Sequence, residues 1–246
     1  MKKLVKKAAA IVMSAILTFT FVAAGMMNAP VARAEAAKEQ IQLSGGASYI
    51  GEVLNGKPHG EGTISWGAKK QYTGHFANGQ RSGEGKFINE YVDNEENTHE
   101  VAFNGTWSKD MMFKGTYTEK VTDMYHRVTV KLLMSGTFKN NQLQSGYLAQ
   151  RALSDPDYAF TYKDGKETLY VMGTPKDMVN SWKKGSLFYV KYQKSSISKE
   201  CWNIPGETKA KERTRQQTLQ YLKKITAQVT PQLKQFEKLA QQVEIK

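Results

Sequence analysis

Side chains able to carry chemistry are few in this 246-residue chain, and they are scattered. The histidines are His59, His75, His99 and His126, and no two stand at a His-x-x-x-His or His-Glu-x-x-His spacing that would aim them at one metal. Cys201 is the single cysteine, which rules out an intramolecular disulfide. It stands beside Trp202 with no helix start to lower its pKa, so it reads as a buried or inert thiol rather than a nucleophile. Glu95-Glu96 fall in a polar stretch and read as solvated charge, and Glu61 and Glu84 read as equivalent exposed strand positions. Asp155, Asp157, Asp164 and Glu167 are the remaining titratable candidates; they are what a hydrolase with a site in residues 147–206 would have to use. The reading favours a chain without catalytic residues, metal or cofactor, with that hydrolase as the alternative.

Composition supports a folded, exported protein. Hydrophobic residues make up 40% of the chain, enough for a core, and the net charge is +12. Residues 1–34 begin with Lys2, Lys3, Lys6 and Lys7, continue with an apolar run from Ala8 to Met27, and end in Ala32-Arg33-Ala34. That is a charged segment, a hydrophobic segment and a small-x-small site, and it predicts a signal peptide cleaved between Ala34 and Glu35. The apolar run is also long enough to serve as an uncleaved anchor, the alternative localisation. The expected location is secreted or at the cell surface. The remaining 30 basic and 23 acidic residues leave a positive balance suited to an anionic surface. That excess lies in residues 147–246, while residues 35–146 are near neutral, which together with export argues against nucleic acid.

The elements that must position these residues come from a pattern written twice. Residues 49–62 and 72–85 both read Tyr-x-Gly-x-x-x-Asn-Gly-x-x-x-Gly-Glu-Gly, with first glycines 23 residues apart. Asn55-Gly56 and Asn78-Gly79 are strong tight-turn signals, so each unit reads as strand, turn, strand. Gly60 with Gly62, and Gly83 with Gly85, alternate along a strand, where a missing side chain admits an aromatic ring from a neighbouring hairpin. Such a unit cannot bury its face alone and must stack on others.

This pattern, carried by Tyr49, Gly51, Gly56, Gly60, Gly62, Tyr72, Gly74, Gly79, Gly83 and Gly85, resembles the MORN repeat (membrane occupation and recognition nexus). The resemblance implies a mainly β fold, an elongated antiparallel sheet of successive β-hairpins. It also implies a non-catalytic module, of a kind linked elsewhere to membrane lipids or protein scaffolds. Phe103-Asn104-Gly105 and Ser135-Gly136-Thr137-Phe138 restart the unit at a spacing of 31 residues, with Lys109-Asp110 and Asn140-Asn141 as turns. The acidic stretch Asn89–Glu100 reads as an inserted loop or ragged hairpin.

Beyond the array the periodicity changes. Residues 35–48 read as a linker, 49–147 as the array, and 148–206 as a short β-β-α-β segment that either caps the array or forms a small domain. In that segment Thr174, Pro175 and Asp177 form a helix-start signal, Gly185 a stop, and Ser195–Gly206 a loop. Residues 207–246 predict a C-terminal amphipathic helix striped by Leu222, Val229, Phe236 and Val243, interrupted at Thr230-Pro231. Three seats stay open for that stripe: the sheet's uncovered face, a coiled-coil homo-oligomer, or an anionic membrane. Lys209, Lys211, Arg213, Arg215, Lys223 and Lys224 are the candidate anionic-surface contacts. The expected function is an exported, non-enzymatic binding or scaffold protein. Its expected partners are an anionic cell-wall polymer or phospholipid surface, or a protein engaged by the sheet or the helix.

Overall fold

The computed structural model describes residues 38–245. The expected signal peptide and its cleavage site at Ala34-Glu35 lie outside the described residues. The chain forms one 13-stranded antiparallel sheet whose spatial order is the chain order. The strands are β1 (Lys38–Gln42), β2 (Ser48–Leu54), β3 (Lys57–Ser65), β4 (Lys70–Ala77), β5 (Gln80–Val92), β6 (Thr98–Ser108), β7 (Met111–Thr122), β8 (Val128–Lys139), β9 (Gln142–Ala152), β10 (Tyr158–Lys163), β11 (Glu167–Gly173), β12 (Tyr189–Lys194) and β13 (Ile197–Trp202). Three helices follow β11 or β13: α1 (Met178–Lys184), α2 (Lys209–Lys224) and α3 (Thr226–Gln242).

The register explains the repeat. Gly51, Gly62, Gly74, Gly85, Gly105, Gly115, Gly136 and Gly146 pair successively across β2 to β9, making one unbroken row. Two residues away on the same face runs Tyr49, Ile64, Tyr72, Phe87, Phe103, Tyr117, Met134 and Leu148. The Tyr49 and Tyr72 rings lie flat over Gly62 and Gly85, so a Cβ at either glycine would enter the ring. The ring thus comes from the glycine's own hairpin, not from a neighbour as the alternation suggested. Gly60 and Gly83 lie instead beside the Glu52 carboxylate and the His75 side chain. They hold φ of +56° and +63° where the ladder bulges, a conformation that costs glycine little.

Each bulge bends its hairpin tip back over this aromatic face. Val53, Phe76, Trp107 and Phe138 then cross the rings below them. Tyr49, Phe76, Tyr72, Trp107, Phe103 and Phe138 form an edge-to-face spine with centroids 5.1–5.5 Å apart. Such contacts contribute about 0.5–1.5 kcal/mol each beyond area burial. The Tyr49 and Tyr72 hydroxyls donate to the Glu52 and His75 carbonyls at 2.7 and 3.0 Å, satisfying backbone groups at the bulges. Turn residues link successive tips: Asp110 Oδ1 accepts the Arg81 N–H at 3.0 Å, and Asn141 Oδ1 accepts the Met112 N–H at 3.3 Å.

The opposite face carries a second row, Ile88, Ala102, Thr118, Leu133, Ala149, Phe160, Val171, Val190 and Cys201. The helices pack on its later members. Leu222, Val229, Phe236 and Val243 are all buried against this sheet face, so the stripe is consumed internally and is not available as a coiled-coil seam. The Thr230-Pro231 interruption reads as a kink or as the start of a second helix, and the structure has two helices. They break at Ile225, not at Thr230-Pro231. The Thr226 hydroxyl closes the Lys223 carbonyl at 2.6 Å, and Pro231 sits in the second turn of α3. The lost N–H leaves only the carbonyl of exposed Ala227 unmatched, which water can satisfy.

Four further expectations change. The presumed linker contains β1, paired to β2. The Asn89–Glu100 stretch is a continuous ladder as far as Val92 and Thr98, closed by a turn in which Asp93 Oδ1 accepts the Glu95 and Asn97 N–H groups. Ser195–Gly206 contains β13, a polar edge strand with weak alternation. The local cap at Thr174 gives way to a tertiary one: α1 starts at Met178, whose N–H donates to Glu237 of α3 at 2.6 Å. Residues 148–206 keep the expected β-β-α-β order in β10, β11, α1 and β12, and their strands continue the sheet.

Gly85→Ala should destabilise the protein by about 1–3 kcal/mol or more, because the ring above cannot move without breaking the spine; urea denaturation will measure it. Phe236→Ala should cost about 3–5 kcal/mol and show no dependence on protein concentration, since the stripe packs within one chain.

Candidate functional site

The aromatic face is a groove built by the hairpin tips. Cavities of about 510 and 360 Å³ meet at Trp66, Arg81 and Asp110. The Arg81 guanidinium lies 4.4 Å from the Trp107 ring centre and 5.7–5.9 Å from those of Tyr72, Phe87 and Trp66. Asp110 holds it there: Nε donates to Oδ1 at 3.1 Å and Nη2 to the Asp110 carbonyl at 2.9 Å. A guanidinium among rings gains cation–π attraction, and its carboxylate fixes the approach. The Tyr72 hydroxyl under it is pushed up to about 12 by burial, so it stays a neutral donor. Sequence reasoning missed Arg81 because the equivalent position in the first unit is Pro58, and nothing in the repeat marks it.

Further along this face, His99 is stacked on Tyr91 with centroids 4.7 Å apart and planes 6° from parallel. Its Nδ1 meets Glu119 at 2.8 Å and its Nε2 meets Asp93 at 3.0 Å. Glu119 also accepts the Tyr117 hydroxyl at 3.0 Å. Burial works against a charged imidazole here, but hydrogen bonds from its ring N–H groups to both carboxylates outweigh it and raise the His99 pKa. The His99 hydrogen bond is in turn the main cause that lowers Asp93. With both ring nitrogens engaged, His99 fastens two hairpins rather than taking a proton from a substrate. It was visible in the sequence only as an isolated histidine.

The hydrolase candidates do not converge. Asp155 and Asp157 lie at one end of β10, Asp164 and Glu167 at the other. Asp164 accepts the Lys166 and Glu167 N–H groups in a turn, at 2.9 and 2.6 Å. Buried Glu167 accepts from Lys194 and from Gln228 of α3, at 3.3 and 3.0 Å, and so ties the helix to the sheet. Burial raises the Cys201 thiol, which keeps it protonated and inert. Among the described residues, no group of three or more His, Cys, Asp or Glu side chains is placed to hold a metal ion.

The helix layer carries the charge. The three helices hold ten lysine and arginine residues and two carboxylates, Glu212 and Glu237. Both carboxylates are engaged. Glu212 binds Arg215 at 2.9 Å, which holds it down at about 2, and Glu237 caps α1. Lys211 also pairs, with Glu207. Of the six expected surface contacts, Lys209, Arg213, Lys223 and Lys224 are exposed and make no ion pair with a described residue, on the side of α2 opposite Thr218 and Leu222. Lys183, Lys184, Lys234 and Lys238 extend the same exposed positive layer.

Residues 49–68 and 72–89 match the MORN repeat family. Over 73 residues the chain is 36% identical to alsin of Homo sapiens and of Mus musculus, a match covering 29% of this chain. The chain spans only 4% of the length of these relatives. The repeats thus support a binding or scaffold module, and the row of eight glycines carries the same geometry on to β9.

The His99 cluster makes a pH prediction. A raised histidine pKa contributes stability that is complete below the ordinary histidine value of 6.5 and is lost as pH rises through the folded one. A lowered Asp93 contributes stability above the ordinary value of 3.8 and loses it as pH falls. Urea midpoints should therefore fall between pH 5.5 and pH 8.5, and the fall should shrink in His99→Gln.

Proposed function

We propose that this is an exported, non-catalytic binding protein that rests on an anionic cell-envelope surface through its helix layer and offers the sheet to a protein partner. The observation that carries the proposal is the division of labour in α1 to α3. Their apolar stripe is buried against the sheet, while eight exposed lysine and arginine side chains, with no carboxylate partner among the described residues, point outward. Such a layer attracts acidic wall polymer or acidic phospholipid by long-range charge that salt screens. Among the described residues no helix is long and apolar enough to cross a membrane, so peripheral attachment suits them. Export follows the reading of residues 1–34, and the engagement of both His99 ring nitrogens by Asp93 and Glu119 favours binding over turnover.

The test is co-sedimentation with acidic vesicles, zwitterionic vesicles and purified wall sacculi across a salt series. Each basic side chain near such a surface contributes about 1 kcal/mol, so changing Lys209, Arg213, Lys223 and Lys224 together to Gln should weaken binding on the order of a hundredfold or more at low salt. Changing Lys211 and Arg215, already paired to Glu207 and Glu212, should do far less. Pelleting indifferent to salt, or unchanged in the fourfold variant, would overturn the electrostatic reading.

A further inference from the structure

Where α3 ends, its seat continues. The helix lies on the row Phe160, Ala149 and Leu133, and its last turn places Val243 over β8. The same row runs on through Thr118, Ala102 and Ile88 with none of the described helices above it. Over these residues lies a groove of about 480 Å³, closed at one end by Gln242 and Val243 and at the other by Ala68 and Lys69. Ile88 is 37% exposed on its floor. Three strand spacings of ~4.8 Å give the groove a length near 14 Å, the rise of about ten helical residues.

Four of the charges beside the groove are sorted by sign, and Lys69, paired with Glu90 at the far end, is the exception. Glu90, Glu100, Lys120 and Lys131 pair successively across β5 to β8 on this face. The two cations therefore flank the α3 end, and the two carboxylates flank the far end. Lys120 bridges Glu100 and Lys69 bridges Glu90, but these pairs are exposed and contribute little. Lys131 donates to the Glu244 carbonyl at 2.6 Å, at the C-terminal end of the helix layer.

We infer that this groove docks an amphipathic helix of about ten residues from a protein partner, coaxial with α3 and running in the same direction. Continuity of the seat selects a helix. Polarity follows from the dipoles: an antiparallel helix would set its carbonyl end against the carbonyl end of α3, whereas a parallel one presents its N–H end. Helices favour acidic residues in the first turn and basic residues in the last. In the parallel orientation those turns meet Lys131 and Lys120, then Glu100 and Glu90. The partner segment therefore carries acids first, an apolar i, i+3, i+4, i+7 stripe, and bases last. The inference rests on the partner-binding half of the proposed function and is independent of the charged helix layer.

Two fluorescent peptides of identical composition test it on the full chain, one with glutamates in the first turn and lysines in the last, the other with these exchanged. The first should bind on the order of tenfold more tightly. Thr118→Trp and, separately, Ala102→Trp should fill the floor and abolish binding while leaving vesicle pelleting intact. Exchanging the rim pair, Glu100→Lys with Lys120→Glu, keeps the ion pair and should erase the preference between peptides. Equal binding of both peptides, binding of neither, or binding indifferent to Thr118→Trp and Ala102→Trp would overturn the inference. Normal vesicle pelleting beside any of these results would confine the failure to the groove, and lost pelleting beside intact peptide binding would confine it to the surface-association reading.

Discussion

An aromatic ring can lie flat against a β-strand only where the residue beneath it has no Cβ, and this sheet depends on that allowance. The Tyr49 and Tyr72 rings occupy the space above Gly62 and Gly85, and Phe103 extends over Gly115. Because the rings lie low, the bulged hairpin tips can fold back over them and set Phe76, Trp107 and Phe138 edge-on between them. A single sheet thereby builds a core on one face without a second layer. The two clean units use tyrosine because its hydroxyl reaches the carbonyl freed at the bulge. The third unit has Phe103 in that place and keeps the stacking without the hydrogen bond.

Self-sufficiency on the aromatic face leaves the opposite face open, and the chain treats its two halves differently. Over β9 to β13 the row is apolar, and three helices cover it; over β5 to β7 the helices stop and the row is short-chained and partly wet. Buried tertiary ties fix where the helices sit: Trp182 Nε1 donates to the Leu222 carbonyl at 3.0 Å, and Gln228 bridges Glu167 and Tyr192. With the apolar stripe anchored, eight of the ten lysines and arginines of α1 to α3 face solvent, and Lys211 and Arg215 pair with Glu207 and Glu212. The positive exterior is thus a consequence of how the interior is satisfied.

The turns illustrate how one local rule serves two lengths of hairpin. Asp93 and Asp123 each accept two N–H groups from residues two and four further on, and Glu96 and His126 take positive φ in the corresponding places. These turns close the long upper hairpins that the 31-residue spacing adds. The longer hairpins give the sheet room for the Tyr91, His99 and Glu119 cluster on one face and the sorted Glu90, Glu100, Lys120 and Lys131 row on the other.

The sequence by itself determined whatever depends on neighbours a few residues apart. Asn-Gly pairs fix tight turns, alternating glycines mark a bare strand face, and a heptad stripe marks a helix side, because each is decided by local backbone preference and periodicity. Only tertiary structure decided what depends on partners far along the chain. Asp110 captures Arg81 from 29 residues away, Glu237 caps Met178 from 59 residues away, and Lys131 meets the Glu244 carbonyl across 113. The helix break at Ile225 belongs there too: α2 packs against β13 while α3 packs against β9 and β10, and the chain turns between them rather than at Thr230-Pro231. The division of the six basic residues of α2 is local by contrast: Glu207 and Glu212 stand four and three residues before Lys211 and Arg215, a spacing that helix periodicity turns into pairs.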